Sequence, residues 1–168
     1  FASEEEEQIT ECGDGVSVAI DPLDGSSNIP TNNLVGTIVG IYEEELPCKG
    51  RNLISAFYVV YGPLMTIMKA ENGRVDEYVI EQDRNDQVEI HLASEDIEIP
   101  DPYVYGIGGN KNWTEELKEF ESEISEELKL RYGGALVGDV NKVIHQGGLF
   151  SYPHRTDAPE GKLRLLFE

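Results

Sequence analysis

Residues 16–28, VSVAIDPLDGSSN, decide how this chain is read. The first five, Val16 to Ile20, are mostly β-branched and apolar and predict a buried strand ending at Asp21, with Pro22 closing its ladder. Asp21 and Asp24 then stand three residues apart and run straight into Gly25, Ser26 and Ser27. Two readings fit. Asp, Pro, Gly and Ser are ordinary turn formers, and a turn alone accounts for them. A hard divalent cation also takes carboxylate and carbonyl oxygens while leaving positions for phosphate, a need that Asp21, Asp24 and the Leu23 carbonyl meet. Gly25 then permits close backbone approach, and the N–H and hydroxyl groups of Ser26 and Ser27 suit a phosphoryl oxygen.

Outward from that stretch, VGTIVGIY at 35–42 predicts a second strand, with Pro30, Asn32 and Asn33 as loop between the two. Residues 51–62, RNLISAFYVVYG, fit helix or strand on periodicity, and the sharp stop at Gly62-Pro63 favours helix. LMTIMKA at 64–70 and Val75 to Ile80 form a hairpin about the Asn72-Gly73 turn, and Gln87 to Leu92 adds a strand. Thr114 caps a helix over about 115–130, with Glu115, Glu116 and Glu119 near its positive end. A second helix runs from Ala135 to His145 and closes at Gly147-Gly148. Leu149 to Tyr152 is a short strand, and a further element starts at Leu163. The expected fold class is α/β, with layered mixed sheets and helices in a single segment.

The 168 residues carry 33 Asp and Glu against 13 Lys and Arg, a formal charge of −20, with 39% hydrophobic residues. A core of ordinary size is available, so an acidic disordered tail is excluded. Nucleic acid is not expected as a partner, because a phosphate backbone needs a basic face. Spread acidity of this kind is consistent with solvation in a high-salt cytoplasm, where screening relieves self-repulsion. Cys12 and Cys48 are too few for a disulfide framework, and no apolar run reaches membrane-spanning length, so a cytoplasmic protein without membrane partners is expected. The chain opens at Phe1 in an acidic run and ends at Glu168 within KLRLLFE, which reads as a piece of a longer protein. His91, His145 and His154 have no Cys or His at ligand spacing and are not expected to bind metal.

The string DPLDGSSNI resembles the signature of the class I fructose-1,6-bisphosphatases, within the lithium-sensitive sugar and inositol phosphatase superfamily. SEEEE at 3–7 is similar to that family's paired-glutamate segment. GTIVGIY, GRNLISAFYVVYG, RYGGALVGDV, GGLFSYP and GKLRLLFE follow in the family's order, with a weaker stretch over 82–112. The resemblance implies that Glu4, Asp21, the Leu23 carbonyl, Asp24 and Glu168 bind Mg²⁺, or Mn²⁺, and that Glu5 helps activate the attacking water. It implies that Asp24, Gly25, Ser26 and Ser27 lie near the hydrolysed 1-phosphate. Tyr132, Tyr152 and Lys162 match the 6-phosphate pocket, lined by Phe150 and Ser151, and Arg131 resembles an arginine that reaches a neighbouring subunit's 6-phosphate. Residues 1–92 then form a metal-site half and 93–168 a sugar-phosphate half.

The implied activity is Mg²⁺-dependent hydrolysis of fructose 1,6-bisphosphate to fructose 6-phosphate and phosphate, as in gluconeogenesis, by a homo-oligomer (dimer or tetramer). Sedoheptulose-1,7-bisphosphatase or inositol-phosphatase-like activity would share the metal carboxylates, and a non-catalytic acidic module would keep only the fold. Some positions depart from the family. Gly108 and Lys111 stand where an asparagine and a tyrosine commonly touch the 6-phosphate, so that contact is either taken over by lysine or lost. Gly15, Val16 and Glu43 occupy positions that are basic or aromatic in AMP-inhibited relatives.

Overall fold

The structure, a computed structural model, describes residues 1–159 apart from Glu7 and Asp14. A short strand β1 (Ala2–Ser3) lies parallel to β2 (Ser17–Asp24), and from β2 the chain meanders. β3 (Val35–Tyr42), β4 (Leu53–Tyr61), β5 (Met65–Glu71), β6 (Arg74–Gln82) and β7 (Val88–Ser94) follow, each antiparallel to the last. They complete a seven-stranded sheet in sequence order. The β5–β6 turn is the expected one: Asn72 and Gly73 both have positive φ, 52° and 76°, as a tight Asn-Gly hairpin requires.

A second sheet is small and parallel. β8 (Val104–Ile107) is its buried centre, flanked by β9 (Lys129–Leu130) and β10 (Gly148–Ser151). Parallel neighbours need crossovers, and these are α1 (Glu115–Ile124) between β8 and β9 and α2 (Leu136–Gln146) between β9 and β10. The Thr114 hydroxyl accepts the Leu117 N–H and starts α1 where the sequence indicates. α2 packs on β3 and β4 of the large sheet and on β8 and β10 of the small one. The layered α/β expectation is met.

Four local expectations are corrected. Residues 53–61 form strand β4, preceded by a 3₁₀ turn at Gly50–Asn52, where a helix was expected. AFYVVY is aromatic and β-branched, and such side chains lose rotamer freedom in a helix but pack well on a pleated surface; Gly62-Pro63 stops a strand equally sharply. α1 ends at Ile124, well short of residue 130, because Glu121, Glu123, Glu126 and Glu127 crowd the end where the helix dipole is negative. Pro22 does not end β2. Asp21 pairs with Ile38 and Asp24 with Gly36, so one extra residue on β2 makes a bulge, the place where a strand tolerates a proline. The loop expected about Pro30 is a 3₁₀ turn, Ser26–Thr31.

The core joins the large sheet to α2. Val60, Ala135 and Val137 are buried together, with Leu34, Ile38 and Tyr58 packed against them. Gly36 allows the approach, since a methyl group there would lie 2.7 Å from Val137 Cγ1. The Tyr58 hydroxyl donates to Asn141 Oδ1 on α2 at 3.0 Å, and burial, reinforced by Glu77, pushes its pKa up so that it stays a donor. Among the described residues, no helix is long and apolar enough to cross a membrane.

Candidate active site

The bulge in β2 determines what the two aspartates can do. In a regular strand, residues three apart point to opposite faces of the sheet. The extra residue between Asp21 and Asp24 cancels that alternation: their partners, Ile38 and Gly36, are two apart on β3, so both carboxylates share the face that α2 covers. Asp21 is fully buried and Asp24 is 5% exposed. Asp21 Oδ1 accepts the Leu23 N–H at 3.0 Å, which shapes the bulge. Asp24 Oδ2 accepts the Val137 N–H at 2.7 Å, in the first turn of α2, where backbone donors and the helix dipole favour an anion.

Glu4 and Glu5 are brought to the same end of the sheet by β1. Ala2 pairs with Ala19 and Ser3 with Ile20, and the Glu4 N–H continues the ladder to the Ile20 carbonyl at 3.0 Å. Glu4 therefore enters beside Asp21 and is half-buried, while Glu5 is exposed, its N–H donating to Ser3 Oγ at 3.3 Å. These donors are all oxygens, the set a hard divalent cation takes. Among the described residues, no three Asp, Glu, His or Cys side chains are drawn together into a closed metal cage. Glu168 lies outside the described residues.

Past Asp24 the chain turns sharply. Gly25 has φ of 79°, and a methyl group on it would sit 2.5 Å from Ala135 Cβ, so this turn and the N-terminus of α2 meet only through glycine. Ser26 and Ser27 open the 3₁₀ turn and are exposed. Asn28 ties that turn to the segment before α2, its amide donating to the Leu34 carbonyl at 2.9 Å and the Gly133 carbonyl at 3.1 Å. From the other side Asp139, itself buried, accepts the Gly133 N–H at 2.8 Å, the Gly134 N–H at 3.3 Å and Lys142 Nζ at 2.9 Å. Sequence reading gave Asn28, Asp139 and Lys142 no role. The one signal for Asn28 and Asp139 was their place inside DPLDGSSN and RYGGALVGDV; Lys142 falls two residues beyond the second string.

Arg131 and Tyr132 follow β9 and are exposed; the Arg131 N–H donates to the Tyr105 carbonyl at 2.8 Å. Tyr132 and Tyr152 meet edge to face, ring centres 6.4 Å apart, and the Tyr132 hydroxyl donates to the Tyr152 hydroxyl at 3.2 Å. Phe150 and Ser151 close β10, and the Phe150 ring packs edge to face on Tyr152 at 5.1 Å. The two tyrosines line a cleft of about 220 Å³ with Gly108, Gly109, Pro153 and Arg155. Lys162 lies outside the described residues. Lys111 is exposed, in the 3₁₀ turn Asn110–Asn112, and is not in the cleft lining.

The profile described as Fructose-1-6-bisphosphatase, N-terminal domain, matches residues 1–91, and that described as Fructose-1-6-bisphosphatase, C-terminal domain, matches residues 99–168. The chain belongs to the fructose-1,6-bisphosphatase family. A protein of Natronomonas pharaonis named Fructose-1,6-bisphosphatase class 1 is 50% identical over the whole of this chain, which spans 59% of that relative. One of Halobacterium salinarum with the same name is 44% identical, with 58% of its length spanned. The crystal structure of Leishmania major fructose-1,6-bisphosphatase in the T-state superimposes with a TM-score of 0.88 at 31% identity, covering 99% of this chain and 60% of that one. This fructose-1,6-bisphosphatase-family chain thus carries the family's fold over somewhat more than half the length of its relatives.

Proposed function

We propose that the full-length protein containing this chain is a Mg²⁺-dependent fructose-1,6-bisphosphatase that releases the 1-phosphate and leaves fructose 6-phosphate. The observation that carries the reading is the bulge that turns Asp21 and Asp24 to one face, beside Glu4 and against the N-terminus of α2. Family membership and the curated relatives' names support the substrate.

Glu4, Asp21, the Leu23 carbonyl, Asp24 and Glu168 would hold the cation, with Mn²⁺ as an alternative. When bound, such a cation supplies Lewis-acid polarisation of the phosphoryl oxygens and charge neutralisation at the leaving alkoxide. The chain's own residues do the rest. Glu5, exposed at the sheet edge, accepts a proton from the attacking water. Ser26 and Ser27 bind the 1-phosphoryl group through N–H and hydroxyl donors, with Gly25 giving the backbone its close approach. Tyr132, Tyr152 and Lys162 hold the distal phosphate, and Phe150 and Ser151 line that end. Residues 1–92 act as the metal half and 93–168 as the sugar half, and Arg131 serves a neighbouring subunit of a homo-oligomer. A cytoplasmic, gluconeogenic role follows from that activity.

The test is phosphate release by the full-length protein from fructose 1,6-bisphosphate, sedoheptulose 1,7-bisphosphate and an inositol monophosphate, with Mg²⁺ and with excess chelator. Turnover highest on the fructose substrate, abolished by chelation and by Asp21→Asn, is the expected result. Full rate in chelator, or a preference for the monophosphate, would overturn the reading.

A further inference from the structure

The cleft beside Tyr132 and Tyr152 contains a cation that the sequence reading passed over. Arg155 lines it, in the segment after β10, and it is the one charged residue among the described residues lining that cleft. Its guanidinium is held from one edge, Nε lying 3.1 Å from Asp157 Oδ1 and Nη2 3.4 Å from Asp157 Oδ2. Nη1 lies on the Gly109 side: a methyl group on Gly109 would come within 2.5 Å of it and 2.6 Å of the arginine Cδ. Gly108 makes the matching space for the tyrosines, since a methyl group there would lie 2.6 Å from the Tyr152 ring and 3.3 Å from the Tyr132 hydroxyl. Two adjacent glycines thus open room for two phenols and a guanidinium to converge.

Phenol hydroxyls and a guanidinium are all hydrogen-bond donors, and a planar guanidinium matches phosphate oxygens in a bidentate fork. A cleft of about 220 Å³ suits one end of a ligand better than a whole sugar bisphosphate. On a chain of net charge −20 an anion needs a local cation to dwell. We propose that Arg155 binds the distal phosphoryl group of the substrate in the Tyr132–Tyr152 cleft, in the role that sequence reading offered to Lys111. The proposal rests on the sugar-bisphosphatase reading above. Arg155 is a specificity-determining residue: it discriminates a substrate phosphorylated at both ends from a monophosphate. Asp157 orients the guanidinium and moderates its charge.

The experiment uses the full-length protein and its Arg155→Gln, Arg155→Lys and Asp157→Asn variants. A lost charge-assisted hydrogen bond raises KM for fructose 1,6-bisphosphate about 10- to 100-fold in Arg155→Gln, with kcat within about threefold of the parent. Inhibition by fructose 6-phosphate weakens by the same factor, whereas inhibition by inorganic phosphate, which occupies the opposite end, stays as in the parent. Arg155→Lys recovers part of the loss. Asp157→Asn, which keeps an oxygen for Nε but removes a repelling charge, lowers KM about threefold. Parental KM and fructose 6-phosphate inhibition in Arg155→Gln overturn the proposal, as does an equal loss of phosphate inhibition, which marks general damage. If the parent protein turns over no bisphosphate, the functional reading fails; calorimetric binding of fructose 6-phosphate to parent and Arg155→Gln then decides the role of Arg155, equal affinities refuting it.

Discussion

Gly25→Ala tests whether the turn after Asp24 and the N-terminus of α2 are held together by close approach. The backbone there has φ of 79°, and a left-handed conformation disfavours an alanine by about 1–2 kcal/mol. The new methyl would lie 2.5 Å from Ala135 Cβ, whereas carbon atoms rest about 3.5–4.0 Å apart, so the two segments must separate by about 1 Å. Overpacking of that size costs a further ~1–3 kcal/mol, giving about 2–5 kcal/mol in all. Gly73→Ala is the control, because Gly73 has φ of 76° with nothing within 4 Å of an added methyl, so it carries the backbone term alone. Urea unfolding of the full-length protein and both variants isolates the steric part as the difference between them, about 1–3 kcal/mol. Since separation stretches the 2.7 Å bond from Val137 to Asp24, kcat/KM should fall about 100-fold in Gly25→Ala and stay unchanged in Gly73→Ala. Equal destabilisation with equal activity in the two variants would refute the reasoning.

Asp139→Ala removes the acceptor that holds the Gly133 and Gly134 N–H groups and Lys142, so unfolding free energy should fall by about 3 kcal/mol and Asp139→Asn should recover part of it; a change within the noise of denaturant titration would show that the loop holds itself. The Asp96 N–H depresses the pKa of Asp76, and the Gln87 and Asn85 N–H groups depress that of Asp83, both from an unfolded value of 3.8. Their stabilisation is present above that value and lost as pH falls through the lower folded one, so the protection of the Asn85, Gln87 and Asp96 amides relative to an unstructured peptide at the same pH should fall below about pH 4; undiminished protection at pH 2 would contradict the assignment. With 33 acids against 13 bases, the thermal midpoint should climb from dilute buffer to molar KCl, and a flat series would make the charge incidental.

How far the sequence could be read follows the range of the forces involved. Asn72-Gly73 and Thr114 act within a few residues, and both features sit where expected. DPLDGSSN marks the candidate site because its residues are consecutive, but Pro22 misleads: a proline reads locally as a strand end, while pairing with β3 turns it into the bulge that aligns Asp21 with Asp24. AFYVVY was misread because the partners that make it a central strand, β3 and β5, lie outside any local window. β8 was missed since four buried residues in a parallel sheet give no periodicity to read. Arg155, set beside Gly109, and Asn28 were invisible for a related reason. Their partners are set by where loops return, as with Asn28 and Gly133, 105 residues apart.

The capping of Asp24 by α2 also orders events in time. The meander from β2 to β7 pairs neighbours in sequence and can form as it leaves the ribosome, whereas the Asp24 to Val137 bond spans 113 residues. At about 5–20 residues per second, roughly 6–23 s pass between the synthesis of Asp24 and that of Val137, whose N–H caps it. Throughout that interval two carboxylates that end up buried, Asp21 and Asp24, stand on an uncovered sheet face, solvated and repelling each other. A young chain of this kind is therefore a half-open clasp, and the ions around it screen that acidic corner before any helix covers it.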